Sequence, residues 1–309
     1  MKEDNCRRYA SVFYALIVTG CATDTPGGEI ARRLVDSNEV ATPAACEVAS
    51  AMRPLPMTVK ETSGLARSLT DPSLFWTHND AGNQPVIFSV SGDGSLRSRA
   101  RVAGASLDDW EDIASAPCGD AKCLFIGDIG DNSGNRSSIT IYRVTEPAAG
   151  ATVTSPATAV RARYPGRPRD AEAMFILSGR TYIVTKGRQE PIELYRVPAT
   201  GSGVLVMEKV RDLWREPRSN DDRVTSASAS PDGRWVAIRT YRRLYIFDAA
   251  ALTRGGGSVS PIETDLSPVG EPAGEGVAIA DDGTVWLSSE ASGKRPPGIA
   301  SLKCSLAAR

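Results

Sequence analysis

Asp109-Trp110-Glu111-Asp112-Ile113-Ala114 is followed by the apolar run Leu124-Phe125-Ile126-Gly127 and then by Ile139-Thr140-Ile141-Tyr142-Arg143-Val144. The plan is an acidic start running into an apolar strand, a turn, a second strand and an aromatic-bearing third. It recurs at Glu61-Thr62-Ser63-Gly64-Leu65-Ala66, Asp170-Ala171-Glu172-Ala173-Met174, Val224-Thr225-Ser226-Ala227-Ser228 and Gly274-Glu275-Gly276-Val277-Ala278. Second strands follow at Leu74–Thr77, Thr181–Val184, Trp235–Ile238 and Val285–Ser288. The units start about 48–60 residues apart, close to the ~40–50 residues of a four-stranded propeller blade carrying some long loops. No long segment shows the 3.6-residue apolar period of a helix, and Gly, Asp, Asn, Ser and Pro punctuate the short runs. The chain therefore reads as all-β, a single β-propeller over residues 46–309. Five blades are favoured, with six the alternative if a long unit hides another. The fifth unit ends before a fourth strand, so Met52–Lys60 is expected to close the ring as an N-terminal strand.

Composition narrows the chemistry. The 309 residues are 41% hydrophobic and 24% charged, with a net charge of −1, which lacks the clustered basic footprint of a nucleic-acid binder. A single histidine leaves little room for zinc held by several imidazoles and only one candidate imidazole base. Gly-x-Ser-x-Gly, His-Glu-x-x-His, the phosphate-cradling Gly-x-x-x-x-Gly-Lys and the dinucleotide fingerprint are all missing from the sequence.

The N-terminus reads as an address. Lys2, Arg7 and Arg8 precede an apolar run from Tyr9 to Gly20, the pattern of a secretory signal over residues 1–20. Val18-Thr19-Gly20-Cys21 is similar to a bacterial lipobox, which predicts lipidation of Cys21. Ala22 after it implies the outer membrane if the cell is Gram-negative. Residues 22–45 read as a flexible tether, with one loose helix conceivable over Glu29–Val40. The expected location is the cell envelope, held to the membrane by the lipid anchor only. Export suits the remaining cysteines, since disulfides persist outside the cytosol. Cys46, Cys118, Cys123 and Cys304 allow three pairings. Cys118 and Cys123 flank a short turn, which favours a local bridge, and Cys46–Cys304 would then join the ends of the domain.

The two faces of such a disc differ. One collects ordinary hairpin turns, Ser91-Gly92-Asp93-Gly94, Ser230-Pro231-Asp232-Gly233 and Ala280-Asp281-Asp282-Gly283, whose composition the backbone alone explains. The other collects His78-Asn79-Asp80, Asp128-Ile129-Gly130-Asp131-Asn132, Lys186-Gly187-Arg188, Arg239-Thr240-Tyr241 and Ser289-Glu290, joined by Glu61, Asp109, Glu111, Asp112, Asp170, Glu172 and Glu275 at the inner-strand starts. Converging polar groups at a concave mouth make this the expected site. His78, Asn79, Asp80, Glu111, Lys186, Arg239 and Glu290 are the candidate ligand-binding residues, with Lys186 and Arg239 placed to clamp an anionic group. Asp112, Asp128, Asp131, Glu172 and Glu275 are the candidate metal ligands, and an all-oxygen set suits calcium. The fourth unit has Thr225-Ser226 where others put an acid, so the carboxylate ring is incomplete.

Trp76-Thr77-His78-Asn79-Asp80-Ala81-Gly82, Trp110-Glu111-Asp112-Ile113-Ala114, Gly127-Asp128-Ile129-Gly130-Asp131-Asn132 and Asp170-Ala171-Glu172-Ala173 resemble motifs of a large group of bacterial exported propeller proteins of unknown activity. More remotely, Asp170-Ala171-Glu172 resembles the Asp-Ala-Glu-Gly of β-propeller phytases, calcium-dependent phosphate-ester hydrolases, with Ala173 in place of Gly. Two functions of different class follow. The first is a non-catalytic, lipid-anchored envelope propeller that binds a small anionic ligand or an envelope protein at the channel mouth. The second is a calcium-dependent hydrolase of a phosphate or related ester implied by the resemblance.

Overall fold

The computed structural model describes residues 46–306 except Gln189, Glu216 and Arg218. The expected signal, lipidation at Cys21, tether and loose helix lie outside the described residues. Strand β1 (Cys46–Pro54) opens the fold. Blade one follows as β2 (Thr62–Arg67), β3 (Leu74–Asn79), β4 (Val86–Ser91) and β5 (Leu96–Arg101), and blade two as β6 (Trp110–Cys118), β7 (Ala121–Asp128), β8 (Ile139–Thr145) and β9 (Thr158–Arg163). Blade three comprises β10 (Ala171–Leu177), β11 (Arg180–Thr185), β12 (Ile192–Arg196) and, after the short β13 (Val204–Val206), β14 (Glu208–Trp214). Blade four is β15 (Val224–Ala229), β16 (Trp235–Thr240), β17 (Arg243–Asp248) and β18 (Ile262–Asp265), with the five-residue helix α1 (Ala249–Thr253) between the last two. Blade five is β19 (Ala273–Ile279), β20 (Thr284–Glu290) and β21 (Gly298–Cys304), completed by β1. The result is a five-bladed propeller of antiparallel four-stranded sheets.

The ring closes with the N-terminal strand, but one segment earlier than expected. β1 pairs antiparallel to β21 from Cys46↔Cys304 to Pro54↔Gly298, whereas Met57–Val59 is a 3-10 turn. Pro54 and Pro56 end the ladder, because proline offers no N–H to it. Cys46–Cys304 and Cys118–Cys123 are both bonded, as the turn argument predicts. An unforeseen element is β13, which leaves its own blade and adds in parallel to β9 of blade two.

Each gap between neighbouring blades holds its own apolar core. Trp76, Ile87, Trp110 and Leu124 fill the gap between blades one and two, Ile141, Met174 and Tyr195 the next, and Phe175, Val224 and Phe247 the third. Leu244, Val277 and Leu302 pack between blades four and five, and Leu65, Phe75 and Ala278 between five and one. Inner strands are covered on both sides, so β2 and β10 are buried almost throughout, while the outer β5 and β9 alternate or lie exposed. The two Trp residues of the sequence motifs act here. Trp76 Nε1 donates to Glu146 Oε1 at 2.9 Å across the blade boundary, and Trp110 Nε1 donates to the Ser106 carbonyl at 2.9 Å.

Candidate functional site

Four of the five inner strands carry a one-residue bulge at the same place. Glu111, Glu172, Thr225 and Glu275 are the extra residues, each skipped between two paired neighbours, and blade one has its irregularity between Ser63 and Ala66. A bulge re-aims the side chain it inserts. Here it sends Glu111, Glu172 and Glu275 toward the mouth, while the next residues Asp112, Ser226 and Gly276 meet around the channel below and Ala173 joins the core between blades three and four.

Asp112 plugs that channel. It has no exposed surface, and its carboxylate accepts from the Ile113, Met174 and Ala227 amides at 2.9, 2.8 and 3.1 Å and from Ser226 Oγ at 3.1 Å. Burial pushes its carboxyl up to about 8 against the pull of those four donors. The serine in the fourth unit is thus a donor to a neighbour's acid. Gly64, at φ +67°, lies so close that a Cβ there would sit 2.8 Å from Asp112 Oδ1. Beyond the plug, on the hairpin-turn face, the channel widens into a cavity of about 530 Å³ lined by Ala66, Ala114, Ile176 and Ala278.

The structure gives several predicted site residues other partners. His78 is fully buried, its Nδ1 3.1 Å from the Asn79 carbonyl and its ring edge-on to Trp110 at 5.6 Å. Burial lowers its pKa to about 4, so it is a neutral packing group. Asn79 holds the connector from β1, donating to the Thr58 carbonyl at 3.0 Å. Arg239, with no exposed side chain, forms a bidentate pair with Glu271 at 2.8 and 2.9 Å and cannot clamp a ligand. Asp128 accepts from the Asp108 and Asp109 amides and pairs with Arg136 at 2.8 Å. Asp131 accepts from the Asn135 and Arg136 amides at 3.0 and 2.9 Å, a loop-closing role. Glu172 is ion-paired to Lys186.

Three carboxylates stand apart from this pattern. Asp80, Asp109 and Glu111 gather with ligand oxygens all within 4.8 Å of one another. Glu111 is 3% exposed, yet no described donor reaches its carboxylate or that of Asp109, and Asp80 accepts only from its neighbour Ala81. Burial raises Glu111 well above the usual carboxylate range, helped by the charges of Asp80 and Asp109. Burial and the Asp80 charge push Asp109 to about 6. Glu290 is pushed to about 7 by burial and by Asp80, and Glu275 is raised by burial and by Glu290. The backbone of Gly130 lies against the cluster, where a Cβ would come within 2.3 Å of Glu111 Oε1 and 2.5 Å of Asp109 Oδ2. Such a donor set, all hard oxygen and short of positive partners, fits a calcium or magnesium ion. Asp109 is the member of this cluster that residue patterns placed at the rim without singling it out. Its signal is positional, because it precedes the bulge as Glu61 and Asp170 do. Glu271 comes from a connector outside the repeat and carries no such signal.

No protein-family model and no curated protein matches the chain. Among solved structures, the PQQ-bound aldose sugar dehydrogenase of Streptomyces coelicolor is similar at TM-score 0.51 and 13% identity, covering 85% of this chain and 98% of that one. The major allergen Mala s 1 of Malassezia sympodialis is similar at TM-score 0.50 and 12% identity, covering 85% and 96%. A gluconolactonase of Xanthomonas campestris aligns at TM-score 0.43 and 10% identity, covering 85% and 98%. At these identities the likeness is one of β-propeller fold.

Proposed function

We propose that the chain is a ligand-binding propeller of the cell envelope, exported and anchored through Cys21, whose channel mouth seats a divalent cation on Asp80, Asp109 and Glu111. The observation that carries this reading is the gathering of three carboxylates that no described hydrogen-bond donor from elsewhere in the chain reaches, with Lys186 and Arg136 acting on them only through their charge. Anions held this close are stable only with protons or a cation between them. Calcium takes about 6–8 oxygen ligands, so three carboxylates leave positions open to water or to ligand oxygens facing the mouth.

Calorimetric titration of the full chain, stripped with chelator beforehand, tests this. Calcium is expected to bind at micromolar concentration with about one ion per chain. Glu111→Gln should weaken binding by about tenfold or more, since it removes a charged ligand. Gly130→Ala should do the same by filling the seat with a methyl group. No heat with calcium or magnesium, from protein with an intact all-β spectrum, would overturn the reading.

A second reading, hydrolysis of a phosphate or related ester, is favoured by one observation. Glu290, its carboxyl raised by burial, lies close enough for the Asp80 charge to raise it further, which makes it the candidate base for a metal-held water beside the cation seat. Calcium-dependent turnover in an ester screen, lost in Glu290→Gln while calcium affinity stays, would establish it.

A further inference from the structure

The mouth is bipolar. Against the acidic cluster of blades one and two, blades three to five frame a cavity of about 510 Å³ whose walls include Lys186, Arg188, Arg223 and Tyr241. That volume lies in the range of small-molecule sites. Arg223 occupies, in blade four, the place that Asp109 and Asp170 hold in theirs. It is partly buried and makes no ion pair among the described residues. Arg188 donates to Asn132 Oδ1, approaches Asp170 to 3.8 Å and keeps 39% of its side chain exposed. The Tyr241 phenol is driven upward by burial and by the Glu275 charge, and it donates to that carboxylate. The acid on the same wall is already engaged, since both Glu271 oxygens serve Arg239. Asp221, exposed at the edge, is the other carboxylate there. Lys186 is paired with Glu172, Arg188 with Asn132 and Asp170, and Tyr241 with Glu275, which leaves Arg223 as the donor of this wall with no ion pair among the described residues. Lys186 links the two halves, because its charge acts on both Asp80 and Glu111.

We infer that this cavity is an oxyanion subsite, taking the carboxylate or phosphate of a small polar ligand whose other oxygens reach the cation seat. Guanidinium groups offer paired donors that match either anion, and an unpaired Arg223 has that capacity unspent. The shared ligand rests on the cation seat proposed above; the subsite itself does not.

The test is a calorimetric titration of the full chain with glycerol 3-phosphate, glycerate and neutral glycerol, in chelator and again with calcium. Saturable binding of at least one anion and none of glycerol is expected in chelator, weakened about tenfold or more in Arg223→Gln. Arg223 is neither fully buried nor ion-paired, so the variant should fold, which its circular dichroism checks. The preferred anion tells phosphate from carboxylate. Tighter anion binding with calcium supports the shared ligand, and no change overturns that part. Absence of saturable anion binding in chelator, or equal binding by Arg223→Gln, overturns the subsite. Since the chelator arm needs no metal, failure of the calcium titration sinks the cation seat alone.

Discussion

Asp109 and Glu290 hold protons near neutral pH that their unfolded counterparts, at ordinary carboxylate values, have already released. Between those values the native state binds more protons than the unfolded one, so its stability falls as pH rises. His78 acts in the opposite sense. Lowered from 6.5 to about 4, it adds stability as pH climbs through that interval and nothing beyond it. Above about pH 6.5 only the carboxylates, Asp112 at about 8 among them, continue to titrate. Metal-free protein should therefore melt at a lower temperature at pH 8 than at pH 6.5, and calcium should restore more at pH 8, where its ligands are ionised. A melting temperature that stays flat or rises across this interval in chelator would contradict the assignment. Which acids matter was hard to read from residue types. Glu111 and Asp112 are adjacent, yet one meets the mouth without a donor and the other collects four. Arg239 looked free because its partner Glu271 lies 32 positions away in a connector that no repeat predicts.

At the scale of elements, the difference between Glu111 and Asp112 is the bulge in β6. The skipped residue turns upward and its successor falls into register with Gly127 of β7. From there Asp112 reaches the backbones of β10 and β15, so one carboxylate ties the inner strands of three blades. Asp112→Ala would remove the acceptor of three buried amides and the Ser226 hydroxyl, at a cost of about 3–5 kcal/mol, whereas Asp112→Asn keeps one acceptor oxygen and should cost less. Urea unfolding monitored by circular dichroism measures both, and a neutral alanine variant would show that the plug is dispensable. The blade plan was legible because strand, turn and strand repeat in residue types that a half-buried pleat demands. The closing strand was less so. Cys46–Pro54 reads Glu-Val-Ala-Ser-Ala-Met-Arg between its ends, lies largely exposed at the blade edge and shows little alternation. Nor did any pattern announce β13, whose place depends on a parallel neighbour from another blade.

For the whole molecule, the ring is only as secure as its seam. Cys46–Cys304 spans 258 positions and Cys118–Cys123 spans 5. Loop-closure entropy assigns about 5 kcal/mol to the long bridge and about 2 to the short one. Replacing Cys46 and Cys304 by Ser should lower the melting temperature by on the order of 10 °C, and more than the same change at Cys118 and Cys123. Equal losses from the two pairs would show that the seam carries no special burden. The seam also sets an order in time. β1 is the first described strand to be synthesised, and β21, its partner, is the last. Blades one to four can assemble from neighbouring segments, but the first strand must wait, unpaired, until residues 298–304 have been made. A chain cut short anywhere before residue 298 leaves β1 with no strand to join.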